Sequence, residues 1–230
     1  MREIVLDTET TGFEPDQGDR IVEIGGVELL NHMPTGRTYH QYIDPKRAMP
    51  EDAFKVHGLG DDFLRGKPVF SEIADAFLEF IGDAKLVIHN AAFDMKFLNA
   101  ELRWVNKRQL PWEQAIDTLA IARKKFPGSP ASLDALCRRF NIDNASRTLH
   151  GALLDSEILA EVYLELIGGR QPGLVLGQAQ TRTSDAEAQG AWRPAPRPAP
   201  LPARLTEAEA AAHEAFLETL GDAPLWRRKS

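Results

Sequence analysis

Ile4-Val5-Leu6 is a short apolar run that ends on acid, the pattern of a buried strand whose tip carries polar residues. Residues 20–30 read as a longer strand, and Gly25-Gly26 inside it marks either a bulge or the close approach of another backbone. Residues 39–43 predict a third strand, 85–88 a fourth, and Ala115-Ile116 a short fifth. Between them the period changes. Residues 70–81 place Ile73, Phe77, Phe80 and Ile81 on one helical face. Phe93, Phe97 and Leu98 open a helix running to about Val105, and Leu133, Leu136, Cys137 and Phe140 mark another, opened by Pro130. Residues 152–167 are the last helix of this region. Three strands joined by turns, followed by strands separated by helices, predict an α/β fold: a mixed β-sheet flanked by α-helices.

The pattern breaks after Gly168-Gly169. Residues 177–204 have almost no aliphatic periodicity and carry Pro194, Pro196, Pro198, Pro200 and Pro202, each separated by one residue. That alternation favours polyproline II over helix or central strand and reads as a semi-rigid linker. Order is expected to return at Thr206-Glu207-Ala208-Glu209, a capping box ahead of an alanine-rich helical stretch ending near Gly221. The expected divisions are therefore 1–168, 169–204 and 205–230, a folded domain with an extended C-terminal tail.

Composition adds exclusions. The chain has 230 residues, 43% hydrophobic and 27% charged, which fits an ordinary globular protein and no fibrous or wholly disordered class. No apolar run approaches the ~20 residues of a membrane helix. An acid at position 7, where a signal peptide would be apolar, leads us to expect a cytoplasmic protein. One cysteine, Cys137, excludes an internal disulfide and a cysteine-based metal cluster. The net charge of -7 argues against a generic nucleic-acid coat but not against an enzyme that meets a nucleic-acid end through metal ions.

Candidate chemistry begins where the first strand ends. Asp7-Thr8-Glu9 sets two carboxylates at i and i+2, and alternation aims both to one side. Side-by-side carboxylates repel, and a hard divalent cation relieves that. His89-Asn90-Ala91-Ala92-Phe93-Asp94 follows the fourth strand and puts Asp94 in a helix's first turn; His150-Gly151-Ala152-Leu153-Leu154-Asp155 puts His150 before the last helix and Asp155 one turn inside it. Each carboxylate alone also suits a solvated turn or a helix N-terminus. Together, in this order, the three segments resemble the DEDDh family of 3′–5′ exonucleases, and within it the proofreading subunits of bacterial DNA polymerase III. Residues 53–59, around Val56-His57-Gly58, and the closing stretches around His213 and Leu225-Trp226 share that resemblance. It implies a ribonuclease H-like sheet and removal of mismatched 3′-terminal nucleotides of DNA.

Phosphodiester hydrolysis needs an activated water, neutralised phosphate charge and help for the leaving oxygen, which two ions about 3.5–4 Å apart can supply. Carboxylate ligands favour Mg²⁺ or Mn²⁺. Asp7 is expected to bridge them, Glu9 and Asp155 to complete one site and Asp94 to support the other, with His150 as general base. The resemblance implies that Val56 and His57, with Thr10, touch the terminal nucleotide. His89 is expected to make a strand-end hydrogen bond or to stand behind the ligands. Phe93 fits either the core or a base-stacking face, Asp117 either a helix cap or a fifth ligand, and Arg123-Lys124-Lys125 either a solvated helix end or phosphate contacts.

The tail suggests recruitment. Gln171-Pro172-Gly173-Leu174-Val175-Leu176 resembles a sliding-clamp (beta) binding peptide through Gln171, Leu174 and Leu176, although it ends without an aromatic residue. The resemblance also implies that the helix from Thr206, with Phe216 and Leu217, and the Leu225-Trp226 anchor hold the chain to the polymerase catalytic (alpha) subunit. The protein would then be a monomer within a hetero-oligomer. Two other readings stay open: a free-standing DEDDh ribonuclease, which would need no such tail, and a structural bridge between clamp and polymerase, which would not need five intact catalytic residue types.

Overall fold

The computed structural model describes residues 1–145, 147, 149–169 and 206–219. Five strands form one sheet: β1 (Arg2–Thr10), β2 (Ile21–Leu30), β3 (Met33–Tyr42), β4 (Lys85–Ile88) and β5 (Ala115–Asp117). The helices are α1 (Glu51–His57), α2 (Asp61–Leu64), α3 (Phe70–Ile81), α4 (Ala91–Trp104), α5 (Thr118–Lys125), α6 (Leu133–Phe140), α7 (Ala152–Ile167) and α8 (Glu207–Thr219). The strand order is β3-β2-β1-β4-β5. β1 to β3 pair antiparallel, and β4 and β5 run parallel to β1, so the sheet is mixed. The chain divides into two units, Met1–Leu176 and Gly177–Ser230, and α8 is the described part of the second.

Alternation along β1 assigns its two faces. Ile4 and Leu6 join a cluster with Phe70, Ile73, Phe77 and Ile81 of α3 and Met95, Phe97 and Leu98 of α4. Val5 joins Val27 and Leu29 of β2, Leu136 and Cys137 of α6, and Leu159, Val162 and Tyr163 of α7. Odd residues of β1 therefore face α7 and even ones face α3 and α4. β1, buried on both faces, carries whatever its tip holds out to the C-terminal edge of the parallel strands.

Gly25 explains how close α7 comes. A Cβ at that position would lie 2.2 Å from the backbone of Ala152, so only glycine lets the start of α7 rest on β2. The sheet irregularities fall elsewhere, between Glu9 and Thr10 and between Val27 and Leu29, which decides for close approach over a bulge. Ser156 fixes the contact by donating its hydroxyl to the Gly25 carbonyl at 3.1 Å.

Several boundaries differ from expectation. β3 begins at Met33 rather than Tyr39, because Asn31 and His32 take positive φ and make a tight two-residue turn. Pro34 is tolerated since β3 is an edge strand. α6 starts at Leu133, capped by the Ser132 hydroxyl rather than opened by Pro130. α1 and α2 went unforeseen because they bury almost no apolar stripe: Phe54, Val56 and Phe63 are exposed. The capping box of α8 forms, with Glu209 N–H donating to Thr206 Oγ1 and Thr206 N–H donating to Glu209 Oε2.

Candidate active site

The tip of β1 meets the first turns of α4 and α7. Asp7 and Glu9 lie on the face turned to α7, where Asp155 is buried in that helix's first turn. Thr8 points the other way, and its hydroxyl donates to Asp94 Oδ1 at 2.7 Å, holding the buried Asp94 of α4. The strand thus gathers carboxylates from helices on both faces of the sheet. A cleft of about 670 Å³ opens there, lined among others by Asp7, Glu9, Thr10, Val56, His57, Phe93, Asp94 and His150. Glu9, Asp155 and His150 each bring one ligand atom within 4.8 Å of the others.

The electrostatics are those of a site short of positive charge. Burial raises the Asp7 pKa well above its ordinary value, and Asp94, Glu9 and Asp155 raise it further. Burial, then Asp155, Glu23 and Asp94, push Glu9 up to about 8. Burial pushes Asp94 to about 7 against the lowering effect of the Thr8 hydroxyl. Hard oxygen donors that repel one another this strongly fit a divalent cation.

Asp155 departs from this pattern. Burial pushes it up, but hydrogen bonds from Arg147 and His150 hold it below the ordinary carboxylate range. Arg147 Nε donates to Asp155 Oδ1 at 2.5 Å and Nη2 to Oδ2 at 2.8 Å, a fork-on-carboxylate pair. Its Nη1 donates to Asp134 Oδ1 at 3.0 Å, and Nη2 lies 2.9 Å from His150 Nδ1. The sequence offered no signal for Arg147, a lone basic residue between two hydroxyl residues. We predict that Arg147→Gln destabilises the metal-free protein by about 3 kcal/mol at neutral pH, since it strands a buried carboxylate. The sign follows from the lowered pKa: the contribution of Asp155 is present above its unfolded value and is lost as pH falls through the folded one. Thermal unfolding in chelator should therefore separate variant from wild type at pH 7 and bring them together as pH falls below the ordinary carboxylate range.

The remaining expected residues fall as follows. His57 is buried, its Nδ1 accepts the Leu59 amide at 3.1 Å, and the Thr10 backbone lies on its other side. Burial lowers its pKa, favouring neutral imidazole. His150 N–H donates to the Val56 carbonyl at 3.1 Å, tying the His150 segment to α1. Thr10 is buried with its hydroxyl on the Gly12 carbonyl at 2.6 Å. His89 Nδ1 shares a 3.0 Å hydrogen bond with the Thr118 hydroxyl. Asp117 caps α5 through the Leu119 amide. Phe93 packs on the core and lines the cleft at once, 5.0 Å from Phe97 and 6.3 Å from Phe13 between ring centres. In the basic cluster that ends α5, Lys125 donates to the Glu165 and Leu166 carbonyls at the end of α7. Phe216 and Leu217 sit on α8, with Phe216 exposed. Gln171, Leu174, Leu176, Leu225 and Trp226 lie outside the described residues.

Comparison with known proteins agrees with this geometry. The family model described as Exonuclease matches residues 4–163. The chain is 46% identical over 239 residues to DNA polymerase III subunit epsilon of Escherichia coli, spanning 98% of this chain and 97% of that protein. The chain belongs to the exonuclease family, among the DNA polymerase III epsilon subunits. The subunit of Rickettsia felis is 55% identical over 188 residues, 80% of this chain and 82% of that one. Among solved structures, exonuclease X in complex with 5′-overhanging duplex DNA matches this exonuclease with a TM-score of 0.55 at 26% identity, covering 71% of this chain and 90% of that one. The nuclease domain of 3′hExo, a DEDDh family member bound to rAMP, matches at 0.62 over 72% and 91%; at 18% identity it shows the shared fold alone.

Proposed function

We propose that this exonuclease removes mismatched 3′-terminal nucleotides from DNA for the bacterial replicative polymerase, assisted by two divalent cations, Mg²⁺ or Mn²⁺. The observation that carries the reading is the convergence of Asp7, Glu9, Asp94 and His150 on one cleft, with a ligand atom of Asp155 within 4.8 Å of those of Glu9 and His150, in a chain alike end to end to polymerase subunits. Bound there, the cations would neutralise phosphate charge and acidify the attacking water. Asp7 would be shared between them, since Asp94, Glu9 and Asp155 all act on it. Glu9 and Asp155 would complete one site and Asp94 the second. His150 would accept the proton of the attacking water at a ring nitrogen. His57, with Val56 and Thr10 beside it in the cleft wall, would receive the terminal nucleotide.

The assembly reading rests on the end-to-end likeness and the tail sequence. Gln171, Leu174 and Leu176 would engage the sliding clamp, and Phe216, Leu217, Leu225 and Trp226 the polymerase catalytic subunit. Among the described residues no helix is long and apolar enough to cross a membrane. A cytoplasmic monomer within a hetero-oligomer is the state this reading implies.

A chain ending at Ile167 is expected to hydrolyse single-stranded DNA within about threefold of the full chain and to lose the polymerase subunit. Gln171→Ala with Leu174→Ala in the full chain should weaken clamp binding alone. Pull-downs with purified polymerase and clamp subunits beside a nuclease assay test both. Tight polymerase binding by the truncated chain would overturn the assignment of the tail. A preference for RNA over mismatched DNA primers would favour the ribonuclease reading instead.

A further inference from the structure

α7 carries Asp155 and begins just after His150, yet its start lacks the usual cap. The N-cap residue is Gly151, which has no side chain to accept an orphan amide of the first turn. The acceptor comes from the neighbouring sheet instead. Glu23 Oε2, on β2, accepts the Ala152 N–H at 3.1 Å. Its other oxygen, Oε1, lies 2.7 Å from His40 Nε2 on β3. The Glu23 side chain is 4% exposed and His40 32% exposed, so the capping carboxylate is buried while its partner reaches solvent. Register places Glu23 directly opposite Glu9, and Gly25, two residues on, is where α7 touches β2.

We propose that Glu23 is a positioning residue: from β2 it supplies the cap that α7 lacks and thereby fixes Asp155 against Asp7, with His40 holding Glu23 in place. Gly25 permits the close approach of α7, and a carboxylate from the same strand replaces the capping side chain that Gly151 cannot offer. The carboxylate also suits the positive end of the helix dipole. The first turn of α7 is then registered to β2, and through β2 to the tip of β1, so the two strands that meet at Glu9 and Glu23 also set the distance between Asp155 and Asp7. Glu23 need not touch substrate or metal for this. The inference rests on Asp155 as a metal ligand, but the cap itself can be read without metal.

The experiment compares Glu23→Ala, Glu23→Gln and His40→Ala in the full-length protein. It measures Mn²⁺ affinity by calorimetry, kcat and KM on a single-stranded oligonucleotide, and hydrogen exchange over residues 150–158 in chelator. Removing a group that orients a ligand typically costs 10–100-fold in metal affinity or activity. Glu23→Ala should weaken Mn²⁺ binding and lower kcat by about that much, leave KM within about twofold, and speed exchange in the first turn of α7. Glu23→Gln keeps an oxygen for the Ala152 N–H and should stay within about threefold of wild type. His40→Ala should fall between them. Equal damage in Glu23→Gln and Glu23→Ala would overturn the proposal, because the charge and not the bond would then matter. Wild-type exchange and Mn²⁺ affinity in Glu23→Ala would overturn it too. Should Glu23→Ala fail to fold, wild-type exchange over 150–158 in His40→Ala has the same force. If wild type bound no Mn²⁺, the metal assignment would fail while the exchange comparison still judged the cap.

Discussion

Replacing Asp7 by Asn is expected to abolish hydrolysis and, in the metal-free protein, to raise the melting temperature. Both effects have one cause. Asp7 is the carboxylate on which the others converge: burial raises its pKa, Asp94, Glu9 and Asp155 raise it further, and Arg147 offsets only part. A group whose pKa is raised by folding favours the folded state when protonated. The penalty for ionising it is absent below its ordinary value and grows as pH rises through the raised one. Glu9, raised to about 8, and Asp94, raised to about 7, add the same dependence. The metal-free wild type should therefore lose stability between about pH 5 and pH 8, and cation binding should restore it. Asn at position 7 keeps the shape and removes one charge, for an expected gain on the order of 1 kcal/mol, or ~2–4 °C in a protein of this size. Thermal unfolding in chelator at pH 6 and pH 8, beside a nuclease assay with Mn²⁺, reads both limbs. Near-normal hydrolysis by Asp7→Asn would sink the metal assignment. A lowered melting temperature at pH 8 would show that these carboxylates do not strain the fold.

Which parts of this site a sequence can disclose follows from how far apart the interacting groups lie along the chain. Asp7 and Glu9 were legible because a period of two and an apolar run ending in acid are local facts. Asp94 and Asp155 were legible as first-turn acids of strongly patterned helices. Thr8 was not, because its partner Asp94 lies 86 residues away and on the opposite face from Asp7 and Glu9. Arg147 became visible only when folding brought Asp134 and Asp155 to the same guanidinium. Glu23 pairs with an amide 129 residues on, and its strand read simply as buried. The fold shows the same division. β1, β2, β4, α3 and α7 carry apolar patterns that declare them. α1 and α2 bury little apolar surface, and the start of β3 contains Pro and Gly that read as a turn until its place at the sheet edge is known. The first of them, α1, brings Val56 and His57 to the cleft, so that wall was the least legible part of the site.

His150→Ala separates proton transfer from metal holding, two roles that could be proposed for the same ring. His150 lines the cleft, offers an atom within 4.8 Å of ligand atoms of Glu9 and Asp155, and lies beside the Arg147 guanidinium. A ring that served mainly as a ligand would take Mn²⁺ affinity with it when removed. A general base would instead take the rate, typically 10²–10⁴-fold. The second outcome is expected, because the carboxylates already supply hard oxygen donors and an imidazole adds little to a Mg²⁺ or Mn²⁺ site. The backbone tie from His150 N–H to the Val56 carbonyl does not depend on the side chain, so the cleft wall should persist in the variant. Kcat should fall by 10²–10⁴-fold, with the calorimetric Kd for Mn²⁺ and the KM for oligonucleotide each within about twofold. Free imidazole added to the assay should restore part of the lost rate, since the space left in the cleft admits a base of the same chemistry. A Mn²⁺ Kd weakened in step with kcat would reassign His150 as a ligand. An activity close to wild type would send the search for the base to His57, another imidazole that lines the cleft.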